Sequence, residues 1–234
     1  MKVMISGGFS SAYRQVLPEF ERQSGIAVTT LSGASQGKGP ETVAAQLGRG
    51  VEVDVVIMSR EGLGELVKQG RIAAGTDADL ATAAIGVAVR AGAPTPDVGS
   101  VDGFRQSLLD AKLVAVPAST SGIFLMEEVF PKLGIAEKIR TRIMARGTQS
   151  CALVASGEAD LAVQPISELL NVPGIAYVGP IPPECQLIQM FAAAVVAGSR
   201  EAAAGRRLIA FLASERAAGA IRETGMVPAG RSTS

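Results

Sequence analysis

VMISGGFSS, at residues 3–11, couples a short apolar run to a loop of small polar residues. The apolar run predicts a buried strand, and a helix capped by Ser10 or Ser11 can continue to about Ser24. Gly25 follows at the position where a glycine commonly ends a helix. The stretch therefore predicts the first strand–loop–helix unit of an α/β protein.

The same alternation of strands and helices continues along the whole chain. Further strands are predicted at Ala27–Leu31, 54–58, Ile85–Val89, Leu113–Val116, Asp160–Gln164, Ile175–Val178 and Gln186–Val195. Further helices are predicted at Glu41–Leu47, Glu61–Gln69, Asp102–Leu109, Ile123–Leu133, Gln149–Ser156, Arg200–Leu212 and Glu215–Thr224. This order is typical of parallel sheets that carry helices on both faces.

No long linker separates one part of the chain from another, so two lobes would have to be joined by strands that cross between them. The candidates are the strands Ile85–Val89 and Gln186–Val195. We predict an α/β fold of two lobes, each a mostly parallel sheet flanked by helices. Residues 1–83 and 193–234 form lobe 1, residues 84–192 form lobe 2, and the ligand cleft is expected between them.

Composition excludes several classes of function. The 22 basic and 22 acidic residues cancel and aromatic residues make up 4%, which argues against a nucleic-acid surface. The absence of histidine removes imidazole metal sites and Ser-His-Asp triads. Two cysteines, Cys151 and Cys185, cannot form a four-thiolate zinc site, and they are either free thiols or a single disulfide. We predict neither a metal nor a cofactor, and no phosphate-loop or dinucleotide motif is present.

The chain also lacks an apolar run of the roughly 20 residues that a membrane span needs. It begins directly with a strand, without the apolar segment of a secretory leader. We therefore expect no membrane insertion, a monomer, and a periplasmic location if a leader has been removed or a cytoplasmic one otherwise.

Four segments at predicted strand ends could bind a small anion. Glycine lets the backbone approach a ligand closely, helix N-termini offer free N–H groups, and hydroxyls add neutral donors. In an open α/β sheet such loops gather where ligands bind. The predicted ligand-binding residues are Ser6, Gly7, Gly8, Phe9, Ser35, Gln36, Gly37, Lys38, Ser119, Thr120, Ser121, Gly122 and Gln164.

Each of these segments also has a purely structural interpretation. A Ser/Gly loop before a helix is commonly just a turn and a cap. Phe9 either covers a ligand or packs in the core, and Lys38 either adds a point charge or is solvated. Gln164 either donates and accepts at the ligand or belongs to an ordinary loop.

The order of these segments resembles one family, the type II periplasmic solute-binding proteins of the molybdate-binding kind. The resemblance covers nearly the whole chain and rests on the order of its parts. They include GIAVT at 25–29, VDVVIM at 53–58, VAVP at 114–117, VASGEADLA at 154–162 and FLAS at 211–214. It implies a two-lobed receptor for a small anion, working with an ABC permease as an importer component or as a sensor.

Two positions depart from the molybdate binders. The first loop carries Gly7-Gly8-Phe9 where that group has a small residue and a serine, and Gln164-Pro165 stands where it has a tyrosine. The resemblance then implies a roomier pocket that suits an organic di- or tricarboxylate. Reversible binding is the leading function, and an effector-binding module of a regulator is a third possibility.

One branch of the family resembles aconitate isomerase, which moves a double bond by a proton shift. Such a reaction needs a group that titrates near neutral pH. Without histidine, the candidates for a catalytic proton carrier are Lys38, Glu168, Glu128 or a serine. Isomerisation of a small tricarboxylate is therefore the alternative function.

Overall fold

The structure is a computed structural model that describes residues 1–230. The chain forms two compact units. Unit 1 comprises Met1–Ala83 together with the segment from Met190 onward, and unit 2 comprises Ala84–Gln189. Each unit contains one β-sheet with helices, so the predicted two-lobe α/β fold is confirmed.

The described residues contain eleven strands. They are β1 Lys2–Ile5, β2 Thr29–Ser32, β3 Val55–Ser59, β4 Ala78–Ala83, β5 Ile85–Arg90, β6 Val114–Pro117, β7 Thr141–Met144, β8 Leu161–Pro165, β9 Ile175–Pro180, β10 Gln189–Val195 and β11 Val227–Pro228.

The α-helices of the described residues are α1 Gly7–Ser24, α2 Val43–Gly48, α3 Arg60–Lys68, α4 Val101–Asp110, α5 Thr120–Phe124, α6 Phe130–Lys132, α7 Gly147–Ser156, α8 Ala202–Leu212 and α9 Glu215–Glu223. A π-helical turn, Leu125–Val129, links α5 to α6, and 3-10 turns lie at Ile166–Glu168 and Pro183–Cys185. Within residues 1–230, none of the helices is both long enough and apolar enough to cross a bilayer.

Unit 1 is built on a six-stranded sheet in the order β11-β4-β10-β3-β1-β2. Alternate residues of β1 point to opposite faces, as the pleat of a strand requires. Val3 and Ile5 pack in the core that includes α1, α8 and α9 residues, whereas Met4 packs on the other face with Leu63 and Leu66 of α3. The sheet is therefore covered by helices on both faces.

Unit 2 is built on a five-stranded sheet in the order β7-β6-β8-β5-β9. On one face Val87 of β5 packs with Phe104 of α4 and Phe130 of α6. On the other face Ala88 packs with Cys151 and Val154 of α7. Helix α7 therefore lies against the sheet that carries the predicted Gln164.

Strand pairing is mixed in both sheets. β1 pairs in parallel with β2 and β3, and β6 with β7 and β8, as strand–helix–strand units require. β10 pairs antiparallel with β3, and β5 pairs antiparallel with β8 and β9. The predicted mostly parallel character thus holds for the strand–helix–strand units, while β5 and β10 add antiparallel pairs.

Some elements differ from their predicted bounds. Helix α1 begins at Gly7, because Ser6 adopts the extended N-cap conformation and Gly8 packs closely against Phe191. This packing outweighs the low helix propensity of glycine. Strand β4 is absent from the prediction because its sequence, ADLATA, is rich in alanine and has few β-branched residues.

Candidate functional site

Three parallel strands of unit 1 end at the same edge of the sheet. Ile5, the last residue of β1, lies opposite the last residue of β2 and opposite Ile57 of β3. The Ser6 N–H donates to the Ile57 carbonyl at 2.9 Å, and the Gly33 N–H donates to the Ile5 carbonyl at 3.0 Å. The segments that follow these strands, including the predicted Ser6 and Ser35, are therefore held at one edge.

Ser35 and Ser59 are tied to each other. The Ser35 hydroxyl accepts a hydrogen bond from the Ser59 N–H at 2.9 Å, and Ser59 Oγ accepts from the Gly62 N–H at 3.2 Å to cap α3. A Cβ on Gly62 would lie 2.3 Å from the Ser35 carbonyl oxygen, so glycine permits this close approach. Sequence reasoning missed Ser59, although a serine between a strand and a helix is a capping signal.

Ser6 differs from these two serines. It is the N-cap of α1, yet its hydroxyl is buried and has no hydrogen-bond partner. A Cβ on Gly8 would lie 2.0 Å from the Phe191 ring, whereas Gly7 is exposed. Phe9 has no exposed surface and belongs to the unit 1 core, which is one of the two roles that the sequence left open. Of this predicted set, the Ser6 hydroxyl keeps an unused hydrogen-bonding capacity.

The rest of the second predicted loop lies at the surface. Gly37 and Lys38 are exposed, and Gln36 Nε2 donates to the Glu65 carboxylate at 2.8 Å. The exposure of Lys38 corresponds to the solvated lysine, one of the two roles that the sequence left open.

In unit 2, the helix that the sequence predicts from Ile123 begins three residues earlier, so part of the predicted loop after β6 is helical. Thr120, Ser121 and Gly122 form the first turn of α5, and Ser119 is the N-cap. A Cβ on Gly122 would lie 1.7 Å from the Pro117 carbonyl oxygen, so packing against the end of β6 holds this turn in place. Thr120 and Ser121 are both buried, and Ser121 Oγ has no hydrogen-bond partner.

Gln164 is fully buried near the end of β8, and its two amide atoms differ in their contacts. Nε2 lies 3.3 Å from the Gly147 carbonyl, 3.3 Å from the Glu168 carbonyl and 3.2 Å from Cys151 Sγ. Oε1 has no partner. The amide N–H groups of Gln164 therefore donate to groups of the protein. Its Oε1, a hydrogen-bond acceptor, is the atom that a ligand could contact.

Glu168 lies in the 3-10 turn that follows β8, and its carboxyl packs against α7. Its Cδ and both carboxylate oxygens lie 2.8–2.9 Å from the position that a Cβ on Gly147 would occupy. The side chain is partly buried, and burial of the carboxyl raises the pKa of Glu168 to about 7. A carboxyl with this pKa can both accept and donate a proton near neutral pH.

Buried polar atoms without a partner are concentrated in the same unit. Across residues 1–230 these atoms are Ser6 Oγ, Ser121 Oγ, Ser150 Oγ, Gln164 Oε1, Ser167 Oγ and Gln189 Oε1. All except Ser6 belong to unit 2. Sequence reasoning missed Ser150 and Gln189, because they lie inside a predicted helix and a predicted strand, whereas Ser167 belongs to the segment that begins with the predicted Gln164.

A depression of about 680 Å³ in unit 1 lies at the opposite ends of the strands. Its central polar groups are paired, since Asp54 accepts from the Lys2 N–H and from Ser199 Oγ, both at 2.7 Å. None of its lining residues carries an unpartnered buried polar atom. In the described part of the chain, no group of three or more His, Cys, Asp or Glu is placed to hold a metal ion, and Cys151 and Cys185 are free thiols.

Comparison with protein families gives one match over nearly the whole chain. A family described as bacterial extracellular solute-binding protein matches residues 1–227. An aconitate isomerase from a Pseudomonas species is 36% identical over 229 residues, which cover 97% of this chain and 87% of that protein.

Solved structures share the fold at lower sequence identity. The periplasmic molybdate-binding protein of Azotobacter vinelandii superposes with a TM-score of 0.75 at 20% identity, covering 98% of this chain and 100% of that one. The sulfate-binding protein of Mycobacterium tuberculosis superposes with a TM-score of 0.76 at 18% identity, covering 98% and 86%. At these identities the superpositions establish the fold.

Proposed function

We propose, since this chain belongs to the bacterial extracellular solute-binding proteins, that it binds a small unsaturated tricarboxylate such as aconitate and moves its double bond. The observation that carries the proposal is the Glu168 carboxyl, which packs against Gly147 beside neutral polar groups. With a pKa of about 7, this carboxyl can take up a proton and return it at neutral pH. The 36% identity to an aconitate isomerase supports the same reaction.

The reaction needs one proton carrier and no second reactant. A base removes a proton from the methylene carbon of the tricarboxylate, and the released electron pair forms a new double bond to the central carbon. The electrons of the old double bond then take up a proton at its far carbon. The methylene and vinyl positions are exchanged, and atoms and electrons balance. In this scheme ionised Glu168 is the base, and protonated Glu168 is the acid.

Neutral groups of the same unit suit the carboxylates of such a ligand. The unpartnered hydroxyls of Ser121 and Ser150 can donate to carboxylate oxygens, while Gln164 Oε1 can accept from a hydroxyl or a protonated carboxyl. A lysine or arginine beside Glu168 would lower its pKa and weaken it as a base. Neutral donors bind the anion without that effect.

A second candidate function is reversible binding without turnover, and the family match favours it. In that role the chain would be an extracellular or periplasmic receptor that delivers a small anion to an ABC permease. The sequence-based expectations of a monomer and of a single ligand bound by loops from both lobes stay predictions.

Incubation of the purified protein with trans-aconitate, followed by proton NMR, tests the enzymatic proposal. We expect cis-aconitate to accumulate at a rate proportional to protein concentration. A thermal-melt series with molybdate, tungstate, sulfate, citrate and both aconitates reports binding, because a ligand stabilises the folded state by mass action. Stabilisation by tetrahedral oxyanions alone, without conversion of aconitate, would overturn the proposal.

A further inference from the structure

Two small residues of α7 face Glu168. Gly147 and Cys151 are four residues apart, so they lie on one face of the helix, and both contact the turn that carries Glu168. The carboxyl packs on Gly147, and the main-chain carbonyl of Glu168 lies at Cys151. One face of α7 therefore contacts both the side-chain carboxyl and the main-chain carbonyl of Glu168.

Gly147 provides the space that the carboxyl fills. A Cβ at this position would lie 2.8 Å from Cδ and Oε1 and 2.9 Å from Oε2 of Glu168. Distances below 3.0 Å force one partner to move. Any side chain at position 147 would therefore displace the carboxyl from the first turn of α7.

Cys151 holds the main chain of Glu168. Its buried thiol donates to the Glu168 carbonyl at 3.3 Å and accepts from Gln164 Nε2 at 3.2 Å. Burial, with a smaller contribution from nearby Glu168, raises the pKa of Cys151 to about 12. The thiol therefore keeps its proton and remains a donor throughout the physiological pH range.

The elements packed around Glu168 carry few charged side chains, and the one beside Gly147 is Arg146, the N-cap of α7. Strand β8 has no ionisable side chain, and Cys151 is the one titratable residue within the α7 sequence. Strand β5 contributes Arg90, whose guanidinium lies against Gly157 at the far end of α7. Burial of the carboxyl is the cause of the raised pKa of Glu168.

We infer that Gly147 and Cys151 are positioning residues, which hold the Glu168 carboxyl in the place where it exchanges a proton with the ligand. The inference rests on the proposed isomerase function. Misplacement of a reacting group by about 1 Å can cost roughly a hundredfold in rate. Both residues should therefore affect turnover more than binding.

The test compares Cys151→Ala, Cys151→Ser and Gly147→Ala with the wild type, using kcat and KM for trans-aconitate between pH 5 and pH 9. Removal of the thiol should loosen the main chain of Glu168, and a methyl group at position 147 should displace its carboxyl, so we expect either change to expose the carboxyl to solvent. We expect kcat to fall about tenfold or more with KM within about twofold, and its rise with pH to shift to lower pH. Serine keeps a donor and should restore most of the activity.

Cys185→Ala is the matched control, because Cys185 is also a buried free thiol of unit 2 but packs in the core on the other face of the sheet. It should keep the wild-type pH profile. If Gly147→Ala does not fold, the pair of Cys151 variants decides the question. A wild-type pH profile and kcat in Cys151→Ala would overturn the inference.

A titration that does not depend on turnover separates this inference from the proposed function. The carboxyl carbon signal of Glu168, assigned with Glu168→Gln, reports its ionisation by NMR in the ligand-free protein. We expect its midpoint to move to lower pH in Cys151→Ala and Gly147→Ala, and to stay in Cys185→Ala. An inactive wild type with these shifts would refute the isomerase alone, and unchanged midpoints would refute the positioning role alone.

Discussion

Both units contain strands that are followed by small polar residues and a helix, but the polar groups at these positions differ in their hydrogen bonding. In unit 1, Ser35 and Ser59 are joined to each other and to the cap of α3. In unit 2, Ser121, Ser150 and Gln164 keep buried polar atoms without partners, and Glu168 adds a carboxyl of raised pKa. Ser35 and Ser59 stabilise the fold of unit 1, whereas the polar groups of unit 2 are those that we propose to bind a ligand and to transfer a proton.

Leaving such groups unpaired destabilises the ligand-free protein. A buried polar atom without a partner costs about 1–3 kcal/mol, whereas a satisfied hydrogen bond contributes about 1 kcal/mol. A ligand that supplies the missing partners recovers that free energy on binding. This difference between the units makes specific variants informative, because stability and ligand binding should respond differently in each.

Replacement of Glu168 by glutamine should have the largest effect. Glutamine keeps the size of the side chain and removes the proton carrier, so kcat for aconitate conversion should fall by about 10²–10⁴-fold. Binding, measured as the rise in melting temperature with trans-aconitate, should persist. Glu137→Gln, an exposed carboxylate of the same unit, is the control and should keep the wild-type kcat. A kcat of Glu168→Gln within threefold of the wild type would contradict the assignment.

Alanine at Gly62 or Gly122 should lower the free energy of unfolding by about 2–3 kcal/mol, measured by urea denaturation. Each new Cβ would press on a main-chain oxygen, that of Ser35 in unit 1 and that of Pro117 in unit 2. Only Gly122→Ala should also weaken trans-aconitate binding, because it shifts Ser121. As a control, Gly64→Ala meets nothing within 4 Å and should stabilise α3 by about 0.5–1 kcal/mol. An equal loss of trans-aconitate binding in Gly62→Ala and Gly122→Ala would contradict the proposal that the ligand contacts unit 2 and not the serines at Gly62.

The pH dependence of stability should separate the wild type from Glu168→Gln. Because the pKa of Glu168 in the folded protein is about 7, against an ordinary 4.5, the folded state binds the proton more tightly than the unfolded state. Ionisation of Glu168 therefore lowers wild-type stability as the pH rises from about 4.5 to about 7. The variant lacks this loss and should be more stable by about 1–3 kcal/mol at pH 8, with the gap closing toward pH 4.5. Urea denaturation at both pH values checks the sign, and a gap that widens at low pH would be inconsistent with a raised pKa.

The smallest effects should come from single serines. Ser35→Ala removes the acceptor of the Ser59 N–H and should cost about 1 kcal/mol of stability. Ser121→Ala removes a buried hydroxyl without a partner, so the ligand-free protein should be stabilised by about 1 kcal/mol while trans-aconitate binding weakens about 5–30-fold. Melting temperatures with and without ligand measure both quantities. Equal changes in stability and in trans-aconitate binding for Ser35→Ala and Ser121→Ala would contradict the difference between the units.

The α/β fold follows from the sequence because apolar runs such as Val3–Ile5 and Val55–Met58 are long enough to indicate strands without tertiary information. The start of α1 could not be predicted, because the helical state of Gly7 and Gly8 depends on a contact with Phe191, nearly two hundred positions away in the sequence. Strand β7, with the sequence TRIM, carries too short an apolar pattern to be recognised alone.

The sequence points to Ser6, Ser121 and Gln164 because each belongs to a polar segment at a predicted strand end, and in the structure each carries a buried polar atom without a partner. Glu168 could be named from the sequence but not preferred over Lys38, because burial, which distinguishes them, is a property of the folded chain. Gly147 and Cys151 could not be found, since α7 looks like an ordinary short helix. Their role arises from a long-range contact with the turn at Glu168.

The exchange of the methylene protons of trans-aconitate with deuterated water, followed by proton NMR at saturating ligand, tests most directly whether Glu168 is the proton carrier. We predict exchange by the wild type at a rate that rises with pH through about 7, and exchange at least a hundredfold slower in Glu168→Gln. Equal exchange rates in the two proteins, or bound trans-aconitate that exchanges no protons in the wild type, would contradict the account.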